Sequence, residues 1–285
     1  MQPRDADSQT SPLLTEQVPG PGGIQGTELA PRTDNVKVLC AVTDVGRVRD
    51  HNEDLFSVGD DGRVMIVADG MGGYEGGQRA SRIAVDTIRE VFLNSEIIEF
   101  PDLLVEGFRA AHAKIREEAA NTPGLESMGT TCVAAAVVGA TLHFANIGDS
   151  RLYFVRGNEI RRLSEDDSVV QKMVAAGVLS QEEAEIHPER NVLTAALGSR
   201  SERSTGIPTH GSEELLPGDT ILLCTDGLHG QVKDEEMLKA LNGQSAKDAC
   251  KELVDLAKAR GGPDNITLQV LRYRGTGLPK KKIEV

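Results

Sequence analysis

Apolar residues along this chain follow two periods. Short, almost unbroken apolar runs at residues 36–42, Val64–Ala68, Cys132–Val138, 142–147, 151–155, 220–225 and 266–271 read as strands. Residues 80–93 instead carry Ala80, Ala84, Ile88 and Val91/Phe92 at the spacing of one helix face, and 103–120 repeat this with Leu104, Phe108, Ala111 and Ile115. Residues 168–176, Asp234–Leu241 and 245–259 also read as helices, the last two beginning at or just after a capping residue type. Gly139-Ala140 and Gly148-Asp149-Ser150 mark turns in a strand meander. Helices come in pairs between runs of strands, not in strict alternation with them. That order predicts an α+β fold in which antiparallel sheets pack together with helices outside, rather than a doubly wound parallel sheet.

Three stretches fall outside this pattern. Residues 1–33 are rich in Pro, Gly, Ser, Thr and Gln, a composition that cannot offset the entropy of ordering, so disorder is expected. Residues 164–210 are polar and read as a mobile insertion over the core of a domain spanning 34–274. Residues 275–285 read as a flexible basic tail.

Composition narrows the function. The chain has 285 residues and 39% hydrophobic content, enough for a sizeable core. Its net charge of −13 argues against a nucleic-acid backbone as partner, and 3% aromatics with no Trp leave little for base stacking. Cys40, Cys132, Cys224 and Cys250 form no C-x-x-C pair; three lie in apolar runs, so buried thiols are expected and zinc is not. No apolar segment resembles a secretory leader or reaches the roughly 20 residues of a membrane span. A cytoplasmic protein with no membrane partner is the expectation.

The chemistry lies where strands end. Asp69 follows Val64–Ala68 and opens Asp69-Gly70-Met71-Gly72-Gly73; Asp226 follows 221–225; Asp264-Asn265 precedes 266–271; Glu53-Asp54 comes early. Carboxylates at the ends of buried strands are costly unless their charge is compensated. Hard divalent cations compensate it, and an all-oxygen set of Glu53, Asp69, Asp226 and Asp264 suits magnesium or manganese. Gly70 would let a backbone carbonyl approach a cation, and the glycines at 72–73 and 76–77 would leave the loop open. Two such ions about 3.5–4 Å apart can hold a bridging water and lower its pKa. Arg49 is the candidate for binding a phosphate group bidentately.

Six motifs occur in one order: Arg49-x-x-Asn52-Glu53-Asp54, Ala68-Asp69-Gly70-Met71-Gly72-Gly73, Met128-Gly129-Thr130-Thr131, Asn146-Ile147-Gly148-Asp149-Ser150-Arg151, Cys224-Thr225-Asp226-Gly227-Leu228 and Gly262-Pro263-Asp264-Asn265-Ile266-Thr267. Asp-Gly alone marks turns everywhere. The ordered set resembles the metal-dependent type 2C serine/threonine protein phosphatases in their bacterial form, over roughly residues 36–273. The resemblance implies a four-layer α-β-β-α sandwich with a metal cleft at one end of the sheets. It implies that Asp69 bridges two Mn2+ or Mg2+ ions, with the Gly70 carbonyl on one and Asp226 and Asp264 on the other. Glu53 would contact the first ion, Asp54 would orient the attacking water, Asn265 would brace the site and Arg49 would hold the substrate phosphate. Asp149 and Asp226 would share a weaker third ion, and 164–210 would be the flap that influences substrate choice. Substrates would be phosphorylated proteins, targets of a serine/threonine kinase or the kinase itself, acted on by a monomer.

Two positions depart from the pattern. Tyr74 stands where many bacterial members have a histidine, a candidate to protonate the leaving group, and tyrosine with a pKa near 10 is a weak acid for that task. Asp167 stands where histidine is common. His187, ahead of Pro188, reads as structural; His51, His112, His143, His210 and His229 show no metal-ligand spacing and carry no assigned role. Met128-Gly129-Thr130-Thr131 reads as packing at a strand start. Alternatives to a general protein phosphatase are a partner-switching phosphatase with one dedicated substrate, an inactive phosphoprotein-binding module, and a metal-dependent nuclease, which the acidic composition disfavours.

Overall fold

Unbroken apolar runs in antiparallel strands need cover on both sheet faces. The computed structural model, which describes residues 25–29, 37–59, 64–94, 100–200 and 205–275, supplies it. In chain order the elements are β1 (Gln25–Leu29), β2 (Lys37–Asp44), β3 (Leu55–Val58), β4 (Val64–Ala68), β5 (Gly70–Met71), α1 (Tyr74–Asn94), α2 (Phe100–Asn121), β6 (Gly129–Thr130), β7 (Cys132–Val138), β8 (Thr141–Ile147), β9 (Arg151–Arg156) and β10 (Glu159–Arg162). Then come α3 (Val169–Ala175), α4 (Gln181–Glu185), β11 (Thr209–Glu214), β12 (Thr220–Cys224), α5 (Asp226–His229), α6 (Asp234–Leu241), α7 (Ala246–Ala259) and β13 (Ile266–Tyr273). One sheet has the order β1-β2-β13-β12-β9-β10 and the other β11-β8-β7-β4-β3, with every pairing antiparallel.

Alternation along single strands builds the layers. In β2, Leu39 and Ala41 point between the sheets toward Met65 and Val67, while Cys40 and Val42 point outward to a cluster with Met237 and Leu253. In β4, Met65 and Val67 face the inter-sheet core, and Ile66 and Ala68 pack with Ile88, Leu104 and Phe108 of α1 and α2. The result is four layers, helices–sheet–sheet–helices, with three apolar cores. All four cysteines are buried thiols outside any disulfide.

The structure corrects several expectations. Gln25–Leu29, inside the segment whose composition predicts disorder, pairs with β2 from Gln25↔Thr43 to Leu29↔Leu39. An edge strand is held by main-chain bonds, so side-chain composition is a poor guide there. Residues 1–24 and 276–285 lie outside the described residues. The insertion at 164–210 carries α3 and α4, is closed on itself by the bridge Ser168↔Leu193 and joined to the core by Thr130↔Leu197, and its end already belongs to β11. Ser180 forms a capping box with Glu183 on α4. Gly76 and Gly77 are not open loop: α1 begins at Tyr74, and a Cβ on Gly77 would strike the Glu53 carboxylate. The short strands β3, β10 and β11, with their mixed composition, gave no periodic signal.

Candidate metal centre

Antiparallel register gathers the acidic strand ends at one edge. Asp44 pairs with Ile266, Cys224 with Arg151, Leu55 with Ala68 and Cys132 with Ile147. The residues just beyond these pairs are Asp264-Asn265, Thr225-Asp226, Asp149, Glu53-Asp54 and Asp69. Positions more than 200 residues apart thus share one cleft.

Each acidic residue is fixed by its neighbours. Thr131 N–H donates to the Asp69 carbonyl at 2.9 Å, Thr130 Oγ1 donates to the same carbonyl at 2.7 Å, and Asp69 N–H donates to Thr131 Oγ1 at 3.2 Å. Thr131 Oγ1 also bonds Ser150 Oγ at 2.7 Å, which links Asp69 to the Asp149 turn. The Gly-Thr-Thr segment therefore holds the site together, beyond the packing role its sequence indicates. Gly70 must be glycine because a Cβ would enter the Gly77 carbonyl. Thr225 Oγ1 donates to Asp54 Oδ2 at 3.0 Å and accepts from Thr267 N–H at 3.1 Å. Asn265 braces the early loop: its Oδ1 accepts from Glu53 N–H at 2.8 Å, and its Nδ2 donates to the carbonyls of Val45 at 3.0 Å and His51 at 2.9 Å.

The electrostatics are those of crowded acids. Burial first, then Asp226 and Asp264, lifts the Asp54 carboxyl to about 7, against the pull of Thr225 and Thr267. Burial, then Asp226, lifts Asp149 to about 8. Asp69 is raised well above the carboxylate range by burial and then by Asp54 and Asp226. Asp226 is raised by burial and then by the charge of Asp264. Burial also raises Glu53. Asp54 Oδ1 and Asp226 Oδ1 are buried without a hydrogen-bond partner. Arg49, at the mouth, pairs with Asp264 at 2.7 Å and is half exposed.

Such a set fits hard divalent cations by chemistry: oxygen donors only, mutually repelling carboxyls and two orphaned oxygens. Among the described residues no three acidic, histidine or cysteine side chains are closed around one point; Asp264 leans to Arg49 and Asp54 to Thr225.

Sequence reading missed two anchors. Asp167 Oδ2 accepts from Gly148 N–H at 3.1 Å, Asp167 N–H donates to the Gly148 carbonyl at 2.9 Å, and Thr194 N–H donates to the Asp167 carbonyl at 2.7 Å, so Asp167 pins the insertion to the Asp149 turn. His229 Nε2 lies 2.9 Å from the Asp149 carbonyl. Burial, then Arg151, lowers the His229 pKa to about 3, so the ring is neutral. Neither contact has a spacing signature. Tyr74 begins α1, but its side chain lies outside the described residues.

Four layers with an acidic, all-oxygen cleft at one end of two antiparallel sheets define the class of metal-dependent phosphatase domains. The chain belongs to the protein phosphatase 2C family, whose profile matches residues 47–261. It is 36% identical over 230 residues to the serine/threonine protein phosphatase PstP of Mycobacterium tuberculosis, covering 81% of this chain and 44% of that protein. The chain thus spans less than half the length of that relative. It is 35% identical over 236 residues to the serine/threonine phosphatase Stp of Listeria welshimeri, covering 79% of this chain and 92% of that one. The crystal structure of the PstP catalytic domain in complex with 2 manganese ions superposes with a TM-score of 0.76 at 33% identity, covering 84% of this chain and 99% of that chain.

Proposed function

We propose that this protein hydrolyses phosphoserine and phosphothreonine in proteins, using divalent metal ions held by its acidic cleft. The observation that carries this reading is the group Asp54, Asp69, Asp149 and Asp226. Four neighbouring buried or half-buried carboxyls form no salt bridge among the described residues, on a scaffold whose relatives are serine/threonine phosphatases. Asp69, the Gly70 carbonyl, Asp226, Asp264 and Glu53 would hold two Mn2+ or Mg2+ ions, and Asp149 with Asp226 a weaker third. Ions bound there would lower the pKa of water and neutralise charge on the phosphate.

The chain's own groups do the rest. Arg49 spends one guanidinium nitrogen on Asp264, and its remaining donors are free to take a phosphate bidentately. Asp54, clamped through Oδ2 by Thr225, presents Oδ1 to orient the attacking water. Asn265 keeps the Glu53 loop in register with Asp264. A phenol, whose ordinary pKa is near 10, is a poor proton donor near neutral pH, so a water rather than Tyr74 is assigned that task.

The catalytic domain is assigned to 34–274 with its flap at about 164–210. The partners are phosphoproteins, including kinase substrates or the kinase itself, and the setting is a cytoplasmic monomer that transduces a phosphorylation signal. No helix among the described residues is long and apolar enough to cross a membrane.

Phosphate release from a phosphothreonine peptide, with and without Mn2+, tests this reading. Turnover should require added metal and stop in excess chelator. Undiminished release after exhaustive chelation, or none with metal present, would refute it.

A further inference from the structure

Asp149 and Asp226 come from separate elements that have every electrostatic reason to part. Asp149 lies in the turn between β8 and β9, outside both ladders; Asp226 begins α5. The turn is tightly built: Gly148 has φ +94°, and a Cβ there would sit 2.7 Å from the Thr131 side chain.

One side chain joins the two elements directly. His229, the last residue of α5, places Nε2 2.9 Å from the Asp149 carbonyl. A carbonyl only accepts, so Nε2 carries the hydrogen and the imidazole is the donor. Arg151, two residues after Asp149, grips Asp166 through Nε at 3.1 Å and Nη2 at 2.7 Å, which fixes the far side of the turn. The helix that starts with one carboxylate therefore ends on the main chain of the other.

We infer that His229 is a positioning residue that holds the Asp149 turn against α5 and so sets the affinity of the weaker divalent-ion site shared by Asp149 and Asp226. The inference rests on the phosphatase reading above. It assigns His229 no contact with substrate. Without the donor, the Asp149 carbonyl loses its partner and the carboxylate is free to move off Asp226.

Calorimetric titration of the full-length, metal-stripped protein with Mn2+ tests this. Wild type should show tight binding plus a weaker event, and Asp149→Ala should abolish the weaker one. His229→Leu should weaken that event about tenfold, the scale of one lost hydrogen bond in a half-buried site, and leave the tight events unchanged. His229→Gln, whose amide nitrogen falls near the Nε2 position, should stay within about twofold of wild type. If the leucine variant does not fold, His229→Asn serves: it stays polar but its amide is too short to reach, and the same tenfold loss is expected. A weak event unchanged in the leucine or asparagine variant overturns the inference. So does an equal loss in the glutamine variant, or a wild type with tight binding and no weak event. A wild type that binds no Mn2+ and releases no phosphate refutes the phosphatase reading itself, and the inference with it.

Discussion

Asp44, Asp166 and Asp219 are about as buried as Asp54, at 3%, 8%, 2% and 3% exposure, but the first three each face a cation. Lys258 sits 2.8 Å from Asp44, Arg156 2.7 Å from Asp219, and Arg151 2.7 Å from Asp166, with Arg162 on the same oxygen at 3.1 Å. Asp54 has no cation beside it among the described residues and is held by the Thr225 hydroxyl. For Asp166, burial would raise the pKa, but Arg151, through its charge and its hydrogen bond, brings it below the usual range. In the cleft, burial and neighbouring acids act together and every shift is upward. One group of acids carries its compensation in the chain. The other keeps mutually repelling charge at one spot, which folding alone does not favour.

Neutralising one acid in each group should therefore give opposite results. Asp166→Asn leaves Arg151 uncompensated and should cost about 3–5 kcal/mol of stability in urea unfolding. A cost below about 1 kcal/mol would remove Asp166 from the structural group. Asp226→Asn relieves repulsion and should leave the melting temperature unchanged or higher. It should reduce phosphopeptide turnover by more than roughly 100-fold, because even groups behind metal ligands are worth 10–100-fold. Wild-type turnover at limiting Mn2+ would remove Asp226 from the ligands.

The pH dependence sharpens the same contrast. Carboxyls raised to about 7 and about 8, Asp54 and Asp149, add stability that is complete below their unfolded pKa near 4 and lost as pH rises through the folded values. In excess chelator, stability should fall between about pH 4 and about pH 8, and Asp54→Asn should flatten part of that fall. Asp166, shifted down, has the reverse sign: its contribution is present above about pH 4 and lost in acid. A chelated protein that gains stability toward about pH 9 would contradict the assignment. The smallest effect is expected at Tyr74. Tyr74→Phe should leave both aryl phosphate and phosphopeptide hydrolysis nearly unchanged. A selective fall of roughly 10²–10⁴ on phosphopeptide alone would make Tyr74 the general acid.

Legibility in the sequence followed the strength of local signals. Val64–Ala68, Cys132–Val138 and Asp234–Leu241 have the bounds their apolar patterns predict, since each is packed on a core that demands those residues. The mixed strand Thr209–Glu214 and edge strand Gln25–Leu29 were illegible because partner backbone, not their own pattern, makes them strands. The acids were legible because a carboxylate directly after a buried run is conspicuous. The supporting groups are less so: Thr225 has no signal beyond its motif, and His229 has no metal-ligand spacing.

By itself the sequence determined the two-sheet layering, the acidic strand ends and the family resemblance, because periodicity and ordered motifs are written residue by residue. Only the tertiary structure decided which buried acids have cations, that Asp167 pins the insertion and that His229 reaches Asp149 across 80 residues. Those are facts of distance. A side chain's charge is local, but whether that charge is paired depends on which strand ends the antiparallel register brings to the same edge.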